Sequence, residues 1–211
     1  MSKNLALLLL ATLGVAACSG HLGVAPPQKL DLSGHWALNG KLSDDPGKVV
    51  HEQERRGRER RDRDRDRMAG DMENPPLPGP ESRPEPPTSS ARTAYRRLWE
   101  KAQEERIAML DSGSRLEITQ SASELKLVSD GSAARYVYGE KVIISIPHGA
   151  ADRYAGWDGR RFIVRTDSPD GLKLFRQYEL TGDGSQLLVV SEMTGEGQPT
   201  TVRQVYDRTR E

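Results

Sequence analysis

The chain has 211 residues, and its 31 Lys and Arg residues are balanced by 31 Asp and Glu residues. A balanced charge gives no long-range field that would attract nucleic acid, so we expect no nucleic-acid partner. Charged residues make up 29% of the chain and aromatic residues 5%. Because residues 51–97 are densely charged and contain few apolar residues, the composition favours a small folded domain with a polar insertion. A single cysteine permits no disulfide within the chain, so folding must rely on an apolar core.

The first residues have the composition of a secretory signal peptide. One basic residue, Lys3, precedes an apolar run from Leu5 to Val15, and small residues follow just before Cys18. The run is too short for an uncleaved membrane anchor, because a spanning helix needs about 20 apolar residues. An ordinary cleaved signal peptide would leave Cys18 as a free thiol, which is a liability in an oxidising compartment.

The run Val15-Ala16-Ala17-Cys18 resembles the lipobox of bacterial lipoprotein signal peptides. The resemblance implies that residues 1–17 are removed and that Cys18 receives lipid. Several acyl chains together make membrane attachment effectively stable. Ser19 stands where an aspartate would be expected to hold a lipoprotein at the inner membrane, so we expect the outer membrane, with the protein facing the periplasm. Residues 18–29 contain glycine and a proline pair and are predicted to form a tether.

Residues 30–50 are predicted to hold the first strand of a β-domain. From Leu30 to Leu42, leucine, tryptophan and glycine alternate with polar residues, which is the pattern of a half-buried strand. Turn-forming residues then end the strand. Among them, Asp44 and Asp45 could ligate calcium, although a polar turn explains them more simply.

Residues 51–89 form a long insertion that we expect to be disordered. Its first part mixes Arg with Asp and Glu, and its second part is rich in proline, so neither part can bury enough surface to offset the entropy of ordering. A solvated linker is the favoured interpretation. The alternative is an Arg-rich segment that contacts anionic head groups or a cell-wall polymer.

Residues 90–111 are predicted to form an amphipathic helix with Ser90 as its N-cap. Apolar side chains recur at helical spacing on one face of this segment: Tyr95, Leu98, Trp99, Ala102, Met109 and Leu110. Packing against a sheet is favoured over binding to a membrane surface.

Residues 112–208 contain short alternating segments separated by Asp-Gly pairs, which are strong hairpin signals. With the first strand, about eight or nine strands are expected. Their spacing predicts a mainly β fold, an antiparallel meander or small up-and-down barrel, accompanied by one helix.

The triplet Gly34-His35-Trp36 resembles the Gly-x-Trp signature of lipocalin-type barrels. That resemblance implies that Trp36 seals the closed end of the barrel against an arginine of the last strand, and Arg203 or Arg208 could supply the cation. A buried strand aromatic is favoured over a ligand contact for Trp36. The segments GHWALN, RLEITQ, GWDGRRFIV and VRQVYDR also resemble those of exported bacterial lipoproteins with a small β-domain, which implies no particular activity.

No catalytic or metal-binding motif stands out. The four histidines show no zinc spacing, no second cysteine is available as a ligand, and neither a phosphate loop nor a nucleophile elbow is present. We therefore expect no enzyme activity, no metal and no cofactor.

Two functions remain open. The first is a membrane-anchored structural or interaction module of the envelope, with another envelope protein or the cell wall as its partner. The alternative is a barrel that binds a small hydrophobic ligand, since a barrel of about eight strands can hold one. The first is favoured, because the strands carry enough apolar side chains to fill so small an interior.

Overall fold

The computed structural model describes residues 22–71, 89–147, 149–195 and 199–210. Its centre is one antiparallel sheet of ten strands, in the order β4-β3-β2-β1-β10-β9-β8-β7-β6-β5. The strands are β1 (Gly34–Leu38), β2 (Arg115–Gln120), β3 (Glu124–Ser129), β4 (Ser132–Val137), β5 (Lys141–Ile146), β6 (Gly149–Asp158), β7 (Arg161–Asp167), β8 (Lys173–Leu180), β9 (Gln186–Thr194) and β10 (Thr200–Thr209). Except for the pair β1 and β10, all neighbours in the sheet are consecutive along the chain.

The sheet confirms the mainly β class and the antiparallel meander, but it has more strands than expected. The missed strand is β6, whose sequence GAADRYAGWD lacks a clear alternation of apolar and polar residues. Its place is set by hydrogen bonds to β5 on one side and β7 on the other. Tertiary pairing therefore overrides a weak local preference here.

Three predicted hairpins turn at glycines that adopt positive φ angles. Gly131 has a φ of 85°, Gly159 a φ of 57° and Gly184 a φ of 71°. Glycine adopts such angles without strain, whereas residues with a Cβ are strained there. The Asp-Gly pairs therefore predict these turns from the sequence.

The sheet curls around an apolar interior. Strand β4, at one end of the sheet, contacts β6 near the other end. Five rings fill this part of the interior, with centroids of contacting pairs 5.4 to 6.0 Å apart: Tyr136, Tyr138, Trp157, Phe162 and Tyr178. No ladder joins β4 to β5 among the described residues, so the curled sheet has an open seam between these two strands.

The two ends of the curled sheet differ. One end, called the closed end below, carries the β2–β3, β6–β7 and β8–β9 turns together with the start of β1 and the end of β10. The opposite end, called the mouth below, carries the connection between β1 and β2, in which both helices lie.

The helices are α1 (Pro46–Asp71) and α2 (Ser89–Leu110). The expectation of a single helix is therefore wrong, and so is the expectation of disorder for the part of the insertion that α1 occupies. Ion pairs one helical turn apart support α1, including Arg55 with Glu59 and Arg56 with Glu52. The proline-rich remainder of the predicted insertion, residues 72–88, lies outside the described residues.

A second apolar cluster fixes the helices to the mouth. Val50 of α1 and Leu110 of α2 pack with Met193 and Val202 of the sheet, and each of these four side chains is at most 3% exposed. The predicted apolar face of α2 is buried only in part, since Tyr95 is 73% and Leu98 is 68% exposed. The helices thus pack on the sheet at one end and project from it at the other.

The contrast between two leucines of α2 is testable. Leu110→Ala should lower the free energy of unfolding by about 2–5 kcal/mol, because it opens a cavity in a fully buried cluster. Leu98→Ala, on the exposed part of the same helix, should change it by less than about 0.5 kcal/mol. Urea unfolding followed by circular dichroism measures both values, and equal effects would contradict the packing described.

Candidate functional site

Trp36 lies in the middle of β1 at the closed end, with 1% of its surface exposed. Its indole Nε1 donates a hydrogen bond to the Leu32 carbonyl oxygen at 3.1 Å. The guanidinium carbon of Arg208 lies 4.3 Å from the centroid of the Trp36 ring. A guanidinium over an indole is stabilising by about 0.5–2 kcal/mol.

Gly34 makes room for this stacking. Its φ is +139°, and a Cβ added there would lie 2.8 Å from Nη1 of Arg208. That nitrogen also donates a hydrogen bond to the Ser33 carbonyl oxygen at 2.9 Å. The residue pattern Gly-x-Trp therefore has a physical reason in this chain: a side chain at position 34 would displace the arginine.

Arg203, the other candidate cation, takes no part in this arrangement. It lies near the beginning of β10, toward the mouth, with an exposed side chain. Its backbone N–H donates to the Asp44 carboxylate at 2.9 Å. Asp44 thus belongs to a turn that is bound to the beginning of β10.

Cys18, the predicted site of lipid attachment, lies outside the described residues, which begin at Leu22.

A second candidate site lies inside the barrel, between the aromatic cluster and the cluster under the helices. Polar side chains occupy inward-facing positions there, and we call the following set the interior polar layer: Arg176 and Tyr178 of β8, Ser191 of β9, and Gln204 and Tyr206 of β10. Sequence reasoning did not single out any of them. The available signal was a charged residue, Arg176, that shares its parity with Leu174 and Tyr178 in an alternating strand.

Arg176 connects the sheet to the end of α2. Its Nε donates to Ser191 Oγ at 3.0 Å, and its Nη2 donates to the carbonyl oxygens of Met109 and Asp111 at 2.7 and 3.2 Å. No carboxylate pairs with the guanidinium among the residues that the structure describes, and the Tyr178 hydroxyl lies close enough to interact with it. Protein atoms surround most of the Arg176 side chain, and part of its surface is accessible to solvent.

Two buried hydroxyl groups near Arg176 and Gln204 have no hydrogen-bond partner in the described part of the chain. They are the phenol of Tyr178, which is 1% exposed, and the hydroxyl of Ser112, which is 5% exposed. Ser112 follows α2 directly, and its backbone N–H donates to Gln204 Oε1 at 2.9 Å. A buried polar group without a partner costs about 1–3 kcal/mol, so the layer is only partly satisfied by the protein itself.

The Tyr178 phenol stays protonated at neutral pH. Burial raises the pKa of Tyr178 to about 12, although the positive charge of Arg176 acts in the opposite direction. Burial also raises the pKa of Tyr206, whose hydroxyl donates to the Gly113 carbonyl oxygen at 2.7 Å. Tyr178 therefore offers a hydrogen-bond donor beside a guanidinium that has no carboxylate partner among the described residues. This combination suits an anion.

Metal chemistry finds no support in the residues described. No group of three or more His, Cys, Asp or Glu side chains among them is arranged to hold a metal ion. Within the same residues, neither helix is long and apolar enough to cross a membrane.

No protein-family model and no curated protein matches the sequence significantly. The chain is similar to several solved structures. One is a REP1-NXSQ fatty acid transporter, with 11% identity, 86% of this chain and 98% of the other covered, and a TM-score of 0.44. Another is lipid binding protein 8 of Caenorhabditis elegans, with 10% identity, coverage of 86% and 99%, and a TM-score of 0.45. A third is a point mutant of the fluorescent protein UnaG, with 12% identity, coverage of 85% and 97%, and a TM-score of 0.46. Similarity at this level assigns neither a family nor a ligand.

Gly34 provides a test of the closed end. Gly34→Ala should lower the free energy of unfolding by about 2 kcal/mol or more, because the new side chain is strained at this φ and displaces Arg208. Gly40→Ala is the matched control, since a Cβ there meets nothing within 4 Å and no positive φ is involved. Unfolding by urea, monitored by Trp fluorescence, should separate the two variants, and equal stabilities would refute the close contact.

The buried phenols predict a loss of stability at high pH. Burial raises the pKa of Tyr178 and of Tyr138 from 10.0 to about 12. Above pH 10 the unfolded chain therefore releases protons that the folded chain retains, and stability should fall between about pH 10 and pH 12. Below pH 10 these groups should contribute no pH dependence.

Chemical unfolding at a series of pH values, together with phenolate absorbance, measures this effect. Tyr178→Phe should make the alkaline decrease shallower. Phenolate absorbance from every tyrosine in a chain that is still folded at about pH 10 would contradict the burial described.

Proposed function

We propose that the chain is a lipid-anchored protein of the bacterial envelope whose β-domain binds an amphipathic molecule with an anionic head group. The observation that carries the binding function is Arg176, a cation at an inward-facing position with no carboxylate partner among the described residues. The proposal rests on the geometry of the interior polar layer, and similarity to the solved structures carries none of it.

An anionic head group fits the donors that remain free. Buried charges in proteins are normally paired, because an unpaired charge in a low-dielectric surrounding is costly. The phenol of Tyr178 provides an unused O–H donor beside the guanidinium of Arg176. A carboxylate or phosphate could accept from both and neutralise the guanidinium.

Apolar side chains adjoin the position proposed for that head group. Above and below the interior polar layer lie two clusters of buried apolar side chains, one of aromatic rings and one under the helices. A ligand with its head at Arg176 would place an attached hydrocarbon against one of them. The access route lies at the mouth, where the bond from Arg176 to the Asp111 carbonyl oxygen is exposed to solvent.

Arg176 also has a structural role, which any test must separate from binding. Its Nη2 holds the last carbonyl groups of α2, where a positive charge is favourable for the helix dipole. Tyr178 has no such role, since its hydroxyl contacts no acceptor among the described residues. Tyr178 is therefore the more decisive position.

The anchor is proposed from the sequence. Cys18 ends a segment that resembles a lipobox, and the acyl chains it would carry would hold the domain at the outer membrane, facing the periplasm. Ligand binding and membrane anchoring are independent proposals, so an experiment can reject one of them and leave the other unaffected.

A second candidate function is a structural or interaction module with an envelope or cell-wall partner. The exposure of Tyr95 and Leu98 on the projecting part of α2 favours it, because neighbouring exposed apolar side chains on a helix often mark a contact surface. This function would remain if the interior bound no ligand.

Competition with a fluorescent fatty acid tests the ligand. The chain without residues 1–18 should bind dodecanoate more tightly than dodecanol, because only the former carries the anionic head. Arg176→Met and Tyr178→Phe should each weaken dodecanoate binding by about 10-fold or more, the value of a hydrogen bond to a charged group. Dodecanol binding should change less.

Arg203→Met is the matched control, since it removes an exposed arginine from the same sheet. Tyr178→Phe should keep or raise the melting temperature, because it removes a buried hydroxyl that has no partner. Unchanged dodecanoate affinity in Tyr178→Phe and Arg176→Met, or no binding by the natural sequence, would reject the ligand and favour the interaction module.

A further inference from the structure

The segment that begins the described chain is bound to the barrel. The Gly23 N–H donates to the Trp157 carbonyl oxygen at 2.6 Å, and the Trp157 N–H donates to the Gly23 carbonyl oxygen at 3.0 Å. Leu22 beside it is 6% exposed. Residues 22–24 therefore add a short antiparallel pairing to the end of β6, and this part of the predicted tether is held against the domain.

Two glycines of the barrel permit this close approach. A Cβ at Gly156 would lie 2.7 Å from Leu22 Cβ and 2.8 Å from the Gly23 carbonyl oxygen. A Cβ at Gly139 would lie 2.5 Å from Cγ1 of Val24. The docking surface for residues 22–24 is thus built from positions where any other residue would collide with the segment.

The docking surface lies at the closed end. Trp157 is the penultimate residue of β6, next to the β6–β7 turn, and Gly139 lies between β4 and β5 at the same end. The helices and the interior polar layer lie toward the mouth. The ten residues of β6 span about 33 Å from one end to the other.

Chain length limits where a lipid on Cys18 can be. Cys18 lies four positions before Leu22, and a fully extended chain of four residue steps covers at most about 14 Å. This distance is less than half the length of β6. A lipid on Cys18 can therefore keep the closed end close to a bilayer, whereas the mouth is out of its reach.

We infer that the closed end of the barrel faces the bilayer that holds the Cys18 lipid, and that the mouth with its two helices points away from that bilayer. The inference rests on the anchor proposed above, but not on the proposed ligand.

Two serines at opposite ends of β3 allow a matched measurement. Ser123 lies in the β2–β3 turn of the closed end and Ser132 at the mouth, and both are exposed. The strand between them places the two positions about 20 Å apart. Ser123→Cys and Ser132→Cys are made in the full chain, purified from membranes, labelled with a thiol-reactive fluorophore and reconstituted into vesicles of phosphatidylethanolamine and phosphatidylglycerol.

Nitroxide-labelled head groups in these vesicles quench only fluorophores near the bilayer surface. Quenching of the label at Ser123 should exceed that at Ser132 by about twofold or more, given the separation of the two ends. Equal quenching, or stronger quenching at Ser132, would overturn the orientation.

The docked segment provides the second comparison. Gly156→Ala should expel residues 22–24 and remove the difference between the two labels, whereas Gly182→Ala should preserve it, since a Cβ there meets nothing within 4 Å. Leu22→Asp should release the segment through a change in the segment itself, so the barrel sequence stays unchanged. This variant serves if Gly156→Ala does not fold. A difference that persists in Leu22→Asp would overturn the role of the docked segment.

The mass of the N-terminal peptide separates this inference from the proposed function. An acylated Cys18 with equal quenching rejects the orientation alone. A chain without acyl groups, recovered in the soluble fraction, rejects the anchor and the orientation together, while dodecanoate binding is unaffected in both cases.

Discussion

The pairing of β1 with β10 is the constraint on which the rest of the architecture depends. β1 has only five residues, yet it lies between β2 and β10 and is the sole link between β2–β4 and β5–β10 in the sheet order. It joins residues near the two ends of the chain, for example Trp36 and Arg208. Such a distant contact is slow to form and costs loop-closure entropy. The buried Trp36 ring, the stacked Arg208 guanidinium and the space at Gly34 all stabilise this short strand.

This pairing also gives the barrel two chemically different ends. The closed end is held by the stacking of Arg208 on Trp36 and by the docking of residues 22–24 on β6. At the mouth, the long β1–β2 connection carries the helices, and their buried apolar contacts centre on Val50 and Leu110. Interior side chains change from aromatic to polar between the two ends. Because every second residue of a strand points to the same face of the sheet, Arg176 and Gln204 point into the interior together with the buried residues of their strands. A layer that leaves two hydroxyls without partners lowers stability, and such local violations are expected where a protein binds something.

Much of the fold could be predicted from the sequence because its signals are local. Asp-Gly turns and period-two alternation locate most strands, and the apolar face of α2 identifies that helix. α1 was missed because a run of Arg, Asp and Glu has the composition of a disordered segment. The order of those charges supports a helix through pairs such as Arg55 with Glu59, and Val50 attaches its beginning to the core. β6 was missed because its placement depends on its neighbours in the sheet.

The candidate site was less accessible to sequence reasoning, since it depends on contacts between distant strands. The Gly-x-Trp triplet leads to Trp36, but choosing between Arg203 and Arg208 requires the register of β10 against β1. Arg176 carries a visible signal, a charge at an apolar parity position, whose meaning depends on which partners the fold brings near it. Its lack of a carboxylate partner among the described residues is a property of the assembled layer and cannot be read from one strand.

The two proposed roles constrain each other through geometry. A lipid four residues before Leu22 would place the closed end at the bilayer, and the mouth would then open toward the aqueous side. A ligand that reaches Arg176 through the mouth would then arrive from the periplasm or from a partner located there, and not directly from the anchoring bilayer. α1, with 26 residues and a length of about 39 Å, begins at the mouth. The exposed Tyr95 and Leu98 of α2 lie on the same projecting pair of helices. On this arrangement the interaction surface and the ligand site both lie on the mouth side of the domain, and a lipid at the other end would leave both accessible.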